Sequence, residues 1–331
     1  MAIQPTSHEQ NPNKSARTQT PLHKPAQHES GLRHTSGEAL YVDDLPHPPG
    51  TLFGWVLTSP HAHARIKRID AAKARSAPGV HGVFLAKDIP GHNNVGTVVH
   101  DEELLSSGEV HFHGQSVALI VGESYAECRK AAAAIEVEYE VLEPILSIQD
   151  AISKKSFLSQ PHTIARGDSK AAIAAAPVRI SGSVSNGGQD HFYLETQVTL
   201  AVPEEGDALK LYCSTQHPSE VQAIVTEVLG WGRSQVVVEV PRMGGGFGGK
   251  ETQAAHFAAL ASLAAHRTKR PVKVWLNRDQ DMAQTGKRHP FWTKYEAGFD
   301  NEGRLLGLDA ELYSDGGFSN DLSRAIMDRA L

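Results

Sequence analysis

The sequence predicts an α+β protein built as two consecutive domains. Its 331 residues exceed the roughly 100–200 that one domain usually takes. Apolar residues make up 40% of the chain and charged residues 21%, the balance of a chain that can bury a core. From residue 37 onward, short β-branched runs bounded by turn residues alternate with alanine-rich helical stretches.

Residues 1–30 are polar, aperiodic and dotted with Pro5, Pro12, Pro21 and Pro25, so a disordered N-terminal arm is expected. The first domain is expected over 31–145. Residues 52–57 and 117–121 read as buried strands, 83–85 as a shorter one, and 126–135 as a helix running into an alternating strand at 136–141. A linker is expected over 146–173, where Pro161 and Gly167 interrupt periodicity. The second domain, 174–331, opens on its clearest stretch. A strand at 209–213 leads through Ser214-Thr215-Gln216 to a helix at 218–229, with Pro218 in its first turn and Gly230 beyond its end. A second strand at 236–240 enters a glycine-rich loop, followed by a helix at 252–266 and a third strand at 272–276. If these three strands run parallel in one sheet, both loops leave carboxyl strand ends, where open α/β sheets bind ligands.

Bulk properties exclude several classes. A formal charge of −6 and a pI near 6.3 give no support to a phosphate-tracking surface, so nucleic acid is not an expected partner. No apolar run approaches the roughly 20 residues that span a bilayer and the N-terminus has no apolar signal core, so a cytoplasmic protein without membrane association is expected. Cys128 and Cys213 are too few for an iron–sulfur site. His61-Ala62-His63 and His111-Phe112-His113 have the period of a strand face, and an exposed face is preferred over a metal site for them.

The loop Gly244-Gly245-Gly246-Phe247-Gly248-Gly249-Lys250-Glu251 carries the chemistry. Its Gly-x-Gly-x-x-Gly spacing fits a dinucleotide site, but the acidic ribose partner about 20 residues on is missing. It nearly fits a phosphate-binding P-loop, but Glu251 stands where Ser or Thr must ligate magnesium. A purely structural turn is the remaining alternative, disfavoured because five glycines discard chain order that close backbone approach to a ligand would justify. The preferred reading has loop N–H groups facing an oxygen-rich ligand at a helix N-terminus. Phe247 then walls a planar substrate, and Glu251 sits in the first helical turn.

The run from Arg242 to Thr252 resembles the signature of the molybdenum subunit of the xanthine dehydrogenase and aldehyde oxidase family. Further segments resemble it in order: Gly37-Glu38-Ala39-Leu40-Tyr41-Val42-Asp43-Asp44, the run from Gly187 to Glu195, Ser214-Thr215-Gln216, the run from Thr285 to Phe291, and Met327-Asp328-Arg329-Ala330-Leu331. The resemblance implies an α/β hammerhead domain followed by the first, incomplete part of an α/β molybdopterin-binding domain. It also implies molybdenum-molybdopterin as cofactor, hydroxylation of hypoxanthine and xanthine with oxygen from water, and electron transfer to NAD through Fe-S clusters and FAD on a partner subunit.

Carried over by position, the resemblance gives Gln216 a hydrogen bond to an oxygen ligand of molybdenum, and Phe247 and Gly248 backbone contacts to the cofactor. Glu251 and Arg329 would bracket the purine, the carboxylate on ring nitrogens and the guanidinium on developing negative charge. Each has a structural alternative: Glu251 as a helix cap, Arg329 paired with Asp321 or Asp328, Gln216 satisfying a turn. Aldehyde-oxidising relatives tend to carry apolar residues at the Glu251 and Arg329 positions, so the polar pair points to a purine. The family's general base has no counterpart within these 331 residues. A truncated chain inactive alone, with apolar surface exposed, is therefore expected; a split enzyme completed by another chain and a non-catalytic assembly module are the alternatives.

Overall fold

The computed structural model describes residues 27–331, so most of the expected N-terminal arm lies outside the described residues. Residues 27–39 belong to a unit of their own, in which α1 (Gly31–Ser36) ends on Gly37 at φ 78°, a left-handed cap suited to glycine.

The unit from Leu40 to Leu331 is organised on a mixed seven-stranded sheet. Its strands are β1 (Leu52–Thr58), β3 (Val80–Phe84), β5 (Ser116–Gly122), β8 (Val198–Glu204), β9 (Ala208–Cys213), β10 (Val236–Glu239) and β11 (Val272–Trp275), in the order β10-β9-β8-β11-β1-β5-β3. Strands from both expected domains thus share one sheet, joined where β1 pairs in parallel with β11. β5 is buried along its whole length, as its uninterrupted apolar run Val117-Ala118-Leu119-Ile120-Val121 requires of a central strand. A smaller sheet, β4-β2-β6, combines β2 (Ala64–Asp70), β4 (Glu109–Val110) and β6 (Glu136–Val141). α2 (Ala72–Arg75) and α3 (Tyr125–Ala132) complete this half.

The segment 146–173, expected as a plain linker, contains α4 (Ile148–Ser153) and the start of α5 (Ser169–Ala175). Ser147 caps α4 and Asp168 caps α5 through side-chain oxygens on the third helical N–H, satisfying donors that short helices otherwise leave bare. A third sheet, β13-β12-β7, is formed by β7 (Val178–Asn186), β12 (Phe291–Phe299) and β13 (Leu305–Ser314). β7 is exposed throughout, and Val178, Ile180, Val184, Leu305, Leu306 and Leu308 leave apolar side chains exposed on this sheet.

Two helices cover the half of the large sheet formed by β8, β9, β10 and β11. α6 (Pro218–Leu229) starts with proline and closes on Gly230 at φ 69°, whose N–H returns to Glu227 and Thr226 carbonyls. It buries Val221, Ile224, Val225, Val228 and Leu229, the i, i+3, i+4, i+7 stripe of a core-facing helix. Full burial of such a side chain contributes about 1.5–3 kcal/mol. α7 (Ala254–Thr268) is buried from Ala254 through Ala265 apart from His256; its alanines allow close approach to α6 and the sheet. α8 (Arg278–Gln284) and α9 (Ser323–Ala330) complete the helices. No helix of the described residues is long and apolar enough to cross a membrane.

The candidate cofactor loop and its surroundings

β9, β10 and β11 run in one direction, because β10 is parallel to β9 while β8 is antiparallel to both β9 and β11. The Ser214-Thr215-Gln216 turn and the glycine loop therefore leave the same edge of the sheet, and they are bonded together there. Gln216 Oε1 accepts from Gly248 N–H at 2.9 Å and Lys250 N–H at 3.2 Å, and Gln216 N–H donates to the Lys250 carbonyl at 2.9 Å. Two backbone donors on Oε1 fix which end of the amide is which. Nε2, a donor of two protons, is left with no partner among the described residues.

The loop's glycines have separate causes, and most lie inside the protein. A Cβ at Gly244 would stand 2.5 Å from Glu195 Cβ, one at Gly246 would stand 2.6 Å from Gln216 Oε1, and one at Gly249 would stand 2.7 Å from the His191 and Tyr193 rings. Gly245 is held at φ 98° against Tyr193. Only at Gly248, with φ 94°, would a Cβ meet nothing within 4 Å. The expectation that glycine content answers to a ligand is thus corrected for all but Gly248, which combines a left-handed backbone with open space. The Gly248 N–H itself is already bonded to Gln216, so it is not a free donor. Phe247 N–H has no partner among the described residues, and Phe247 is held at φ 53° with its ring 65% exposed, an unfavourable backbone for a bulky residue.

Beneath the loop lies a charged core that motif reading did not reveal. Lys250 is fully buried; its Nζ reaches Ser214 Oγ at 2.7 Å and Glu195 Oε2 at 3.3 Å, and lies 4.7 Å from the Tyr193 ring centroid. Glu195 Oε2 also accepts from Ser214 Oγ and from Gly244 N–H, both at 2.6 Å. Burial lowers the Lys250 pKa, and Glu195 opposes that shift. Lys250 is therefore an internal strut, turned away from any phosphate. Alongside, Gln197 Nε2 donates to the Gly249 carbonyl and to Tyr193 Oη at 3.0 Å, while Tyr193 Oη donates to buried Asp281 at 2.8 Å. Burial, then Asp281, pushes the tyrosine pKa well upward. These partners lie far from the loop in sequence, and nothing in the loop's own composition signals them.

Glu251 is exposed and lies three positions before the first residue of α7, which corrects its expected place in the first helical turn. The helix starts at Ala254 because the Lys250 carbonyl, the acceptor an earlier start would need, is taken by Gln216 N–H and by Thr215 Oγ1 at 3.1 Å. Glu251 forms no cap: its N–H reaches the Gly248 carbonyl at 3.4 Å, and its carboxylate has no partner among the described residues. Arg329 is exposed near the end of α9 and pairs with neither Asp321 nor Asp328; Asp328 faces His162 at 3.0 Å instead. No hydrogen bond or ion pair links Glu251 and Arg329. Their segments meet through Asp321, which accepts from Thr252 Oγ1 at 3.2 Å. The run from Gly187 to Glu195 and that from Thr285 to Phe291 also adjoin, through paired Gln189 and Arg288 and the Lys287–Asp190 ion pair at 3.1 Å.

Two strand-end loops are thus locked around one glycine arch, with an exposed aromatic and an unpartnered amide at its rim. Residues 151–331 match the family model described as molybdopterin cofactor-binding domain, and residues 36–143 match the a/b hammerhead domain of aldehyde oxidase and xanthine dehydrogenase. The chain belongs to the molybdopterin cofactor-binding family of aldehyde oxidases and xanthine dehydrogenases. It is 45% identical over 94% of its length to xanthine dehydrogenase of Dictyostelium discoideum and 44% identical over 94% to that of Calliphora vicina, spanning 23% of each relative. Among solved structures, the aldehyde oxidoreductase of Desulfovibrio gigas is similar with a TM-score of 0.78 at 26% identity, over 87% of this chain and 34% of that one.

Proposed function

We propose that this chain forms one wall of the molybdenum-cofactor site of a xanthine dehydrogenase-type hydroxylase acting on hypoxanthine and xanthine. The supporting observation is the fixed Gln216 amide, whose Oε1 is spent on Gly248 and Lys250 N–H groups so that Nε2 remains to donate. When bound, the cofactor supplies a molybdenum centre that hydroxylates a purine carbon with oxygen from water. Gln216 Nε2 would then donate to an oxygen ligand of the metal without bringing charge. The Phe247 N–H would add a second donor, and Gly248, where an added Cβ would meet nothing within 4 Å, leaves room for backbone-close approach.

Glu251 and Arg329, both exposed and without ion pairs, hold the purine: the carboxylate accepts from ring N–H groups, and the guanidinium stabilises negative charge developing on the ring. Two polar residues favour a purine over an aldehyde. Both cysteines are buried and unbridged, so Fe-S clusters are assigned to a partner subunit; FAD on that subunit, NAD as the acceptor and the cytoplasm as the location belong to the same proposal. The general base is assigned outside these 331 residues, in a completing chain or segment.

Glu251→Val in the assembled enzyme containing this chain tests the reading. Loss of a charged contact to the reacting ring is expected to lower hypoxanthine turnover by about 10²–10³, with molybdenum content unchanged and turnover of a simple aldehyde reduced less than about tenfold. Equal losses on both substrates would remove the case for a purine.

A further inference from the structure

The two His-x-His motifs, read from sequence as a strand face, are brought together by register. β2 and β4 pair antiparallel with Ala64 opposite Val110 and Arg65 opposite Glu109; one position further out, His63 stands opposite His111. Their rings stack at 5.7 Å, and Glu109 lies between them, with Oε1 2.8 Å from His63 Nε2 and 3.9 Å from His111 Nδ1. One donor atom from each of the three lies within 4.8 Å of the others.

We propose that His63, Glu109 and His111 form a zinc-binding site at this edge of the β4-β2-β6 sheet, separate from the cofactor loop. Two imidazoles and one carboxylate suit zinc rather than magnesium or calcium, and three protein donors leave a fourth position for water. A tetrahedral shell with bonds of about 2.0–2.1 Å needs donors roughly 3.3 Å apart, reached here by a small turn of exposed His111. His63 is already oriented: its Nδ1 lies 3.0 Å from the Glu143 carbonyl, the outer contact that fixes a ligating imidazole with Nε2 toward the metal. His111 is backed by Phe318, stacked at 6.2 Å and 5°. Arg65 opposes a cation, with Nη2 3.9 Å from Glu109 Oε2, but its Nη1 is held by Glu140 at 3.0 Å, so the guanidinium can rest on Glu140 alone.

Zinc titration followed by calorimetry on the full 331-residue chain, with wild type, His111→Ala, Glu109→Gln and His113→Ala, tests this. Wild type is expected to bind one high-affinity equivalent, His113→Ala to match it, and His111→Ala and Glu109→Gln to bind at least tenfold more weakly. Cobalt substitution should give the intense visible absorption of a tetrahedral centre in wild type and lose it in His111→Ala. Metal-free melting temperatures within a few degrees of wild type confirm that the variants are folded. Absence of a stoichiometric site in wild type, or equal affinity in wild type, His111→Ala and Glu109→Gln, would overturn the proposal, as would equal losses in His113→Ala and His111→Ala, which would indicate diffuse binding by surface histidines.

Discussion

Glu195→Gln isolates the charge on which the glycine loop is built. The amide keeps an acceptor for Gly244 N–H and Ser214 Oγ, each 2.6 Å from the native Oε2, so what disappears is the negative charge 3.3 Å from fully buried Lys250. Breaking one side of a buried pair costs about 3–5 kcal/mol. The lysine has one escape, loss of its proton. From an unfolded value of about 10.4, deprotonation at pH 7 costs roughly 3.4 units at 1.36 kcal/mol each, or ~4.6 kcal/mol, which caps the loss. Burial lowers the Lys250 pKa and Glu195, with weaker help from Asp281, holds it up; removing Glu195 lowers it further. A lysine with a depressed folded pKa binds fewer protons folded than unfolded, so stability returns as pH rises between the two values. Urea unfolding at pH 7, 8 and 9 should therefore show a deficit of about 3–4.6 kcal/mol at pH 7, narrowing by up to ~2.7 kcal/mol by pH 9. A deficit below about 1 kcal/mol at pH 7, or one that stays flat or widens with pH, would refute the strut assigned to Lys250 and Glu195.

Two further outcomes follow from groups near the same segments. Burial, and then the charge of Asp321, push the Glu102 carboxyl up to about 7; its contribution is complete below the unfolded value of about 4.3 and is lost as pH rises through the folded one. Glu102→Gln keeps an acceptor for Ser319 Oγ at 3.2 Å and should match wild type near pH 4.5 but exceed it by up to ~3 kcal/mol at pH 8, measured by denaturant unfolding at both. Phe247→Gly exchanges a left-handed φ of 53° on an exposed ring for an unstrained one, a relief of about 1–2 kcal/mol against about 0.5–1 kcal/mol of added chain entropy. Calorimetry should find its melting temperature unchanged or slightly raised; a fall of more than about 5 °C would mean that the ring is held by packing.

What the sequence made legible was local. Residues 136–141 and 218–229 were bounded correctly because each carries its own signals, strict alternation in β6 and a proline start with a glycine stop in α6. β7 escaped because Val178-Arg179-Ile180-Ser181-Gly182-Ser183-Val184-Ser185-Asn186 buries neither face and so has no apolar side to reveal its period. The histidine motifs were read one strand at a time. Only the pairing of β2 with β4 puts His63 opposite His111 with Glu109 between them, and that register depends on residues about 45 positions apart.

The glycine loop shows why composition alone mistakes the cause. Five glycines in six residues invite one explanation, a ligand, yet Gly244, Gly245, Gly246 and Gly249 are required by Glu195, Tyr193, Gln216 and His191, side chains between 30 and 58 residues upstream. The loop is thus packed on one side as tightly as a core. That packing lets it hold Phe247 and Gly248 in left-handed backbone at an exposed rim, where a freely moving loop would relax. The rigidity comes from the buried lysine pair and the Gln216 amide. The open rim left above that packing is correspondingly narrow: one glycine, one strained aromatic and one amide nitrogen. Substitutions at Gly246 and Gly248 should separate the two roles. A methyl at Gly246 displaces the Gln216 amide 2.6 Å away, whereas one at Gly248 enters open space and meets only the backbone penalty of positive φ, about 1–2 kcal/mol.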